Sequence, residues 1–419
     1  MEKTRVVITG MGVVAPNGIG IENFWDSLIH GRSGVRKITH FDASTYPCQV
    51  AAEVPNFDPT GYMDPKTAKR LSRFAQFALA SAKMAVEDSS IDFDQENPYK
   101  LGVFVGTAIG GLDIFEIQHS IFLEKGIKRI NPYSAVSCST HSASAIIACE
   151  FNLKGINTTI AAGCNTGLDT TFLAFNSIRL GDADIILAST GEAPLTPLIH
   201  AIFCATGYMS RVNGEPQKAV KPYDLNADGM VLGEGGACII IEELEHALKR
   251  NAKIYGEIVS YSALNEAFDL MEVDKDDKTM VFNFKQVLEK GHVNINEIDY
   301  INAHGNGIIS YDIIETNAIK RVFGDLAYSI PVTSIKPVTG HSIAPTAIWQ
   351  IITSLLAIKY NIIPPTINIQ NPAPGCDLNY VPNHLLKKEV QTVLINTHGF
   401  GGRLTALVLK KFFPEKLVV

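Results

Sequence analysis

Short β-branched runs that stop at a glycine, each followed by a stretch with apolar residues at helical spacing, recur along the whole chain. Residues 5–9 end at Gly10, 101–105 at the turn Gly106 to Gly111, and 158–162 at Gly163-Cys164. Residues 300–303 end at His304-Gly305, and 332–335 stop just before Gly340-His341. Further strand-like runs cover 185–188, 254–261 and 393–396, and helical spacing marks 66–86, 168–180, 279–290, 315–323 and 346–359. Strands this apolar, alternating with helices, are buried on both faces, so the chain is expected to be an α/β layered fold. The strand, Gly163-Cys164, helix unit and the strand, Gly340-His341, helix unit stand 177 residues apart. One internal duplication explains that spacing better than two unrelated domains. The expected halves are 1–253, carrying Cys164, and 254–419, carrying His304 and His341. The charged segment 269–278 reads as a solvated loop between elements, not as a linker.

Composition narrows the function classes. With 419 residues, 46% of them hydrophobic, the chain can bury a large core, which excludes disorder and disulfide-scaffold readings. A net charge of −7 argues against a dedicated nucleic-acid binder, whose surface is normally basic. The seven cysteines are scattered and lack a C-x-x-C pair, as expected of reduced thiols and not of a zinc cradle or disulfide framework. The apolar run at the start is too short for a secretory signal, and later apolar stretches are broken well before the roughly 20 residues of a membrane span. A cytoplasmic enzyme is the expectation.

Three glycine-associated turns each follow a strand and present a reactive side chain: Gly163-Cys164, His304-Gly305 and Gly340-His341. A fourth, Gly399-Phe400-Gly401-Gly402, follows the strand at 393–396. Ligands of open α/β sheets bind at such strand ends. A cysteine between a strand and a helix N-terminus is expected to have a lowered pKa from the helix dipole. Two histidines beside it can move protons or donate to an oxygen anion. Taken singly, a cysteine in Ala-Ala-Gly-Cys is a small buried hydrophobe and a histidine after a strand is a turn residue. Their conjunction points to nucleophilic catalysis. Two other motifs fail. Gly10-Met11-Gly12-Val13-Val14-Ala15 copies a dinucleotide fingerprint, but Pro16-Asn17-Gly18 follows where a phosphate-binding helix should run. Asp224, Asn226, Asp228 and Gly229 copy the start of a calcium loop, yet Glu234 falls one residue short and Met230-Val231-Leu232 reads as strand.

Read in order, RVVITGMGVVAPNG, AAGCNTGLD, VKPYDLNADGMVLGEG, DYINAHGNG, SIKPVTGHS, IIPPTINIQ and NTHGFGG resemble the elongating β-ketoacyl–carrier-protein synthases of the thiolase fold. Within that family APLTP, CDLNYVP and SIKPVTGHS are most similar to the ketosynthase subunit of type II polyketide synthases. The resemblance implies a five-layered α/β/α/β/α sandwich built from two duplicated halves. It implies that Cys164 takes an acyl chain from the phosphopantetheine arm of an acyl carrier protein. His304 and His341 would then hold the malonyl thioester while carbon dioxide leaves, and the carbanion would extend the chain by two carbons. By the same likeness the backbone N–H groups of Cys164 and Phe400 form an oxyanion hole, Lys336 and Glu315 orient the histidines, and Phe400 acts as a gate. No metal and no tightly bound cofactor are implied, since the carrier protein delivers the arm. Lys66, Lys69, Arg70 and Arg211 are candidates for its docking patch. A homodimer, or a heterodimer with a chain-length-factor-like paralogue, is expected through the strand before the cysteine.

The chain departs from that pattern around the arm. The family's H-G-T-G-T reads His304-Gly305-Asn306-Gly307-Ile308, so two hydroxyls are lost; Asn306 can still hydrogen-bond and Ile308 cannot. The small-residue run after His341 reads Ser342-Ile343-Ala344-Pro345-Thr346-Ala347, where Pro345 fits a first helical turn. His398 stands two residues before Phe400, and Arg403 follows the glycines. Asn306, Ile308, His398 and Gly401 are the expected substrate contacts. Two other readings stay open on sequence: a partner subunit that shapes a shared pocket, and a decarboxylase or acyltransferase on the same scaffold. The related chain-length-factor subunits lack the cysteine, so Cys164 favours an active subunit.

Overall fold

The computed structural model describes residues 4–414; positions 1–3 and 415–419, the outermost parts of the two expected halves, lie outside the described residues. The first half contributes five main strands: β1 (Val6–Ala15), β2 (Leu101–Gly106), β3 (Asn157–Ile160), β4 (Ile185–Glu192) and β5 (Gly235–Glu243). The second contributes β6 (Gly256–Asn265), β7 (Tyr300–Asn302), β8 (Val332–Thr333), β9 (Thr392–Gly399) and β10 (Arg403–Lys410). In space the first set runs β3-β2-β4-β5-β1 and the second β8-β7-β9-β10-β6, the same permutation. Strand directions match too. Within each half the first three neighbours are parallel and the last two pairings antiparallel. The duplication inferred from the 177-residue offset is therefore a duplication of topology. The halves are joined edge to edge where β1 pairs with β6, Val6 to Ile8 lying opposite Ile258 to Gly256.

Seven helices complete the layers: α1 (Arg73–Ser89), α2 (Leu112–Lys125), α3 (Ser142–Phe151), α4 (Thr166–Arg179), α5 (Lys278–Lys290), α6 (Ile309–Phe323) and α7 (Ala344–Tyr360). Helices α1 and α3 cover the outer face of the first sheet, and α5, with α6 packed against it, the outer face of the second. Between the sheets α4 packs on α7. Every residue of α7 from Ala344 to Ile358 is buried, as a helix sandwiched between two sheets requires. The two central helices approach closely at Gly167, where a Cβ would stand 2.5 Å from the Ala344 carbonyl oxygen. Five layers result, as the resemblance implied. Strand β3 is an edge strand with half-exposed residues and follows directly on the exposed Ile156.

Several sequence expectations change in detail. The helix expected over 66–86 breaks at Leu71-Ser72, both extended, into Pro65–Arg70 and α1. Strand β1 does not stop at Gly10 but bulges there and runs on to Ala15. Gly12 lies so close beneath α1 that a Cβ would meet the Ser81 oxygen at 2.0 Å, so the G-x-G motif serves packing and not a phosphate. The Asp224 carboxylate is consumed by the N–H groups of Asn226, Gln370 and Asn371, which makes the calcium-like segment a backbone-bonded turn. Met230-Val231-Leu232 forms only isolated bridges, and the strand begins at Gly235. Segment 269–278 is a loop up to α5. Among the described residues no helix is long and apolar enough to cross a membrane.

Candidate active site

Cys164 sits in the turn Gly163–Asn165 between β3 and α4. Gly163 has φ of +57°, a left-handed conformation that glycine adopts without a Cβ penalty. Asn165 anchors the turn to the other half, donating to the Thr397 carbonyl at 2.9 Å and the Thr405 hydroxyl at 2.9 Å. His341 occupies the equivalent turn of the second half. Its N–H donates to Val231 at 2.8 Å, its carbonyl accepts from Gly233 at 3.0 Å, and Gly340 precedes it at φ +67°. Its Nε2 lies 3.1 Å from Cys164 Sγ. His304, after β7, stands edge-on to His341 with ring centroids 5.5 Å apart.

The backbone N–H groups of Phe400 and of Cys164 itself lie near the thiol sulfur and favour its ionised form. They are in place to bind the oxygen anion that forms when a thioester on Cys164 is attacked. Gly399 lets the strand end come this near, since a Cβ there would be 2.8 Å from Cys164 Cβ.

Glu315 and Lys336 hold His304 from behind. The Glu315 carboxylate accepts from the N–H groups of His304 (2.7 Å) and Gly305 (3.0 Å), the Tyr223 hydroxyl (2.9 Å) and Asn396 Nδ2. Lys336 Nζ donates to the His304 carbonyl and lies 3.4 Å from His304 Nδ1. Burial pushes Lys336 down to about 8, opposed by the nearby Glu315 charge. Burial also holds His304 and His341 well below the ordinary imidazole value, with the Lys336 charge adding to it, so both rings are neutral at pH 7. For Cys164 the sequence expectation is corrected. Burial raises the thiol to about 11, and the Lys336 charge and the two N–H groups offset it only in part. The resting group is a thiol, and His341 Nε2 at 3.1 Å is the atom that can take its proton.

Cys164 and His341 border a cavity of about 160 Å³ whose lining is almost wholly apolar. Ala108, Ile109, Phe203, Met230, Ile308 and Ile343 form much of the wall, with Cys164, His341 and Phe400. Of the expected substrate contacts, Ile308 lines the cavity, as does Asn306, whose Nδ2 faces His304 Nε2 at 3.4 Å and whose Oδ1 accepts from Ile308 N–H. The Gly401 N–H and carbonyl are engaged by Leu270 and Asn265. His398 does not line the cavity. It is buried between His304 (4.4 Å) and Tyr311 (5.3 Å), and neither ring nitrogen has a hydrogen-bond partner. Arg403 bonds Asp169, which also accepts from Tyr261 and thereby ties α4 to the second sheet. Lys66, Lys69 and Arg70 share the short helix Pro65–Arg70, with Arg70 stacked over Tyr133 at 4.0 Å, while Arg211 is exposed on another loop. Sequence reading missed Glu192, Phe203 and Tyr311. Only Glu192 carried a signal, an acid at the end of an apolar strand.

Comparison with known proteins agrees with this geometry. Residues 3–247 match the β-ketoacyl synthase N-terminal domain and 255–370 the β-ketoacyl synthase C-terminal domain. The chain is 41% identical to 3-oxoacyl-[acyl-carrier-protein] synthase 2 of Coxiella burnetii, over 99% of this chain and 100% of that protein. It is 37% identical to a putative polyketide β-ketoacyl synthase 1 of Streptomyces halstedii, over 97% of each. Among solved structures, a type II polyketide-synthase ketosynthase in complex with its acyl carrier protein superposes with a TM-score of 0.91 at 32% identity, covering 98% of this chain and 100% of that one. The ishigamide ketosynthase/chain length factor gives 0.92 at 30% identity, with the same coverage. The chain belongs to the β-ketoacyl synthase family.

Proposed function

We propose that this chain is an elongating ketosynthase: it condenses an acyl group held on Cys164 with a malonyl group on an acyl carrier protein. The observation that carries the reading is the 3.1 Å contact between Cys164 Sγ and His341 Nε2, with two backbone N–H groups near the same sulfur. In the first half-reaction His341 takes the thiol proton and the thiolate attacks the acyl thioester. The acyl group moves to Cys164 and the proton leaves with the pantetheine thiol. In the second, His304 and His341 donate to the malonyl thioester oxygen as carbon dioxide departs, and the electron pair left on the α-carbon attacks the Cys164 thioester. The new carbon–carbon bond expels the Cys164 thiolate, which takes a proton from solvent to restore the thiol. Neutral imidazoles suit this step, since they donate a hydrogen bond without drawing the carboxylate into an ion pair that would resist its loss.

The arm is delivered by the carrier protein, for which Lys66, Lys69, Arg70 and Arg211 are the proposed docking cations. The relatives supporting this include enzymes named for carrier-protein substrates and a ketosynthase in complex with its acyl carrier protein. The half-exposed edge strand β3 is the proposed dimer contact, because an unpaired edge invites pairing with a second chain. A cytoplasmic site of action fits the free thiols and carrier-protein chemistry. The test is intact-mass analysis of the protein with acyl carrier protein, then with malonyl carrier protein. An acyl adduct on Cys164 that is released as a product two carbons longer supports the reading; no adduct overturns it.

A further inference from the structure

Two stretches of the cavity wall, one from each half of the chain, meet at a single buried carboxylate. Ala108 and Ile109, in the loop after β2, line the cavity, and so does Ile343, immediately before α7. Glu192, the last residue of β4, is fully buried. It accepts from the Thr107 hydroxyl and from the N–H groups of Ala108 and Ile109, each at 2.9 Å. The Ala344 N–H lies near the same carboxylate and, with those of Ala108 and Ile109, partly offsets the burial that raises it to about 7. Ile343 has φ of +50° and ψ of −102°, a conformation that a β-branched residue keeps only when its surroundings over-determine it. On one side the Ser342 N–H bonds the Thr346 hydroxyl, and on the other the Ala344 N–H lies near the buried Glu192 carboxylate.

We propose that Glu192 is a positioning residue of the acyl cavity, one that holds Ile109 and Ile343 in place and so limits the length of acyl chain that Cys164 accepts. The inference rests on the reading of Cys164 as the acyl carrier. A carboxylate can accept from its three bonded donors and face the nearby Ala344 N–H as well, whereas an amide of the same size has one acceptor oxygen and sets its own N–H groups against backbone N–H groups. With Gln at 192 the wall is released, the strained backbone at Ile343 loses the carboxylate that faces the Ala344 N–H, and the apolar cavity lengthens.

The test uses the full-length protein and straight-chain acyl-pantetheine thioesters of four, eight and twelve carbons. Intact mass follows the rate of Cys164 acylation in the wild type, Glu192→Gln and Thr107→Val, which removes only one donor. The expected result is a rise of at least about fivefold in the eight-to-four carbon kcat/KM ratio for Glu192→Gln, with a smaller rise for Thr107→Val. A ratio unchanged within about twofold, or an equal loss at every chain length, overturns the proposal. If Glu192→Gln does not fold, Thr107→Val decides by the same ratio. A wild type that takes no acyl group overturns the reading of Cys164, and this inference with it. Acylation with an unchanged ratio overturns this inference alone.

Discussion

Cys164 and His341, whose reactive atoms are 3.1 Å apart, occupy the same place in the two halves of the molecule. Each follows the strand that ends its half-sheet and precedes one of the two central helices. Replacing Cys164 by Ala should therefore abolish chain extension, by at least about a thousandfold, while His304 and His341 remain to support loss of carbon dioxide. Product analysis by mass, alongside carbon dioxide release from malonyl carrier protein, separates the two. Surviving extension would remove Cys164 from the mechanism.

The pH profile of that decarboxylation should carry the signature of Lys336. Below its value of about 8 the side chain is an ammonium that donates to His304; above it the amine is neutral and this hold weakens. The rate is expected to fall as pH rises through about 8. In Lys336→Met the rate should be lower and this limb absent. An identical limb in the variant would assign it to another group.

His398 leads to a prediction about stability. Its two ring nitrogens are buried without hydrogen-bond partners, Nε2 standing 3.9 Å from Glu315 Oε1, and burial keeps it down at about 4, against an ordinary 6.5. Between those values an unfolded chain binds a proton that the native protein does not, so stability drops as pH falls through this window. His398→Phe removes two unpartnered polar atoms, each worth about 1–3 kcal/mol when buried, and its own share of that slope. Thermal unfolding at pH 5 and pH 7 should give a higher Tm for the variant, with the larger gain at pH 5. An equal or lower Tm at both would mean that the ring nitrogens are satisfied.

Gly399→Ala tests how the oxyanion site is built. No left-handed conformation requires glycine here, but the added carbon would stand 2.8 Å from Cys164 Cβ and 3.0 Å from Sγ. The fold is expected to survive while Cys164 acylation falls by on the order of a hundredfold, the usual loss for a displaced oxyanion donor. Circular dichroism and intact mass read the two separately, and normal acylation would show that the sulfur has room to move.

The residues that meet at the candidate site were legible because each is flagged locally, by a strand ending in glycine next to Cys164, His304, His341 or Phe400. The duplication was legible for the same reason, since turn signals repeat at matching places. Quantities set by the surroundings were not. A helix N-terminus beside Cys164 argued for a thiolate, yet burial, which depends on residues far away in sequence, outweighs the Lys336 charge and the nearby N–H groups and raises the thiol to about 11. His398 read as a substrate contact, but β9 turns it away from the cavity and onto Tyr311. Glu192 and Phe203 join the site only through tertiary packing. The helix break at Leu71-Ser72 and the continuation of β1 past Gly10 fall where apolar periodicity is continuous and packing alone decides.

The identical strand permutation of the two halves has a consequence for ancestry. A pair of separate, identical half-chains arranged like this would have to present one and the same residue from both sides of its symmetry axis. Two cysteines could face each other there, or two histidines, never one of each. A single polypeptide is free of that constraint, and here the two equivalent places hold Cys164 and His341.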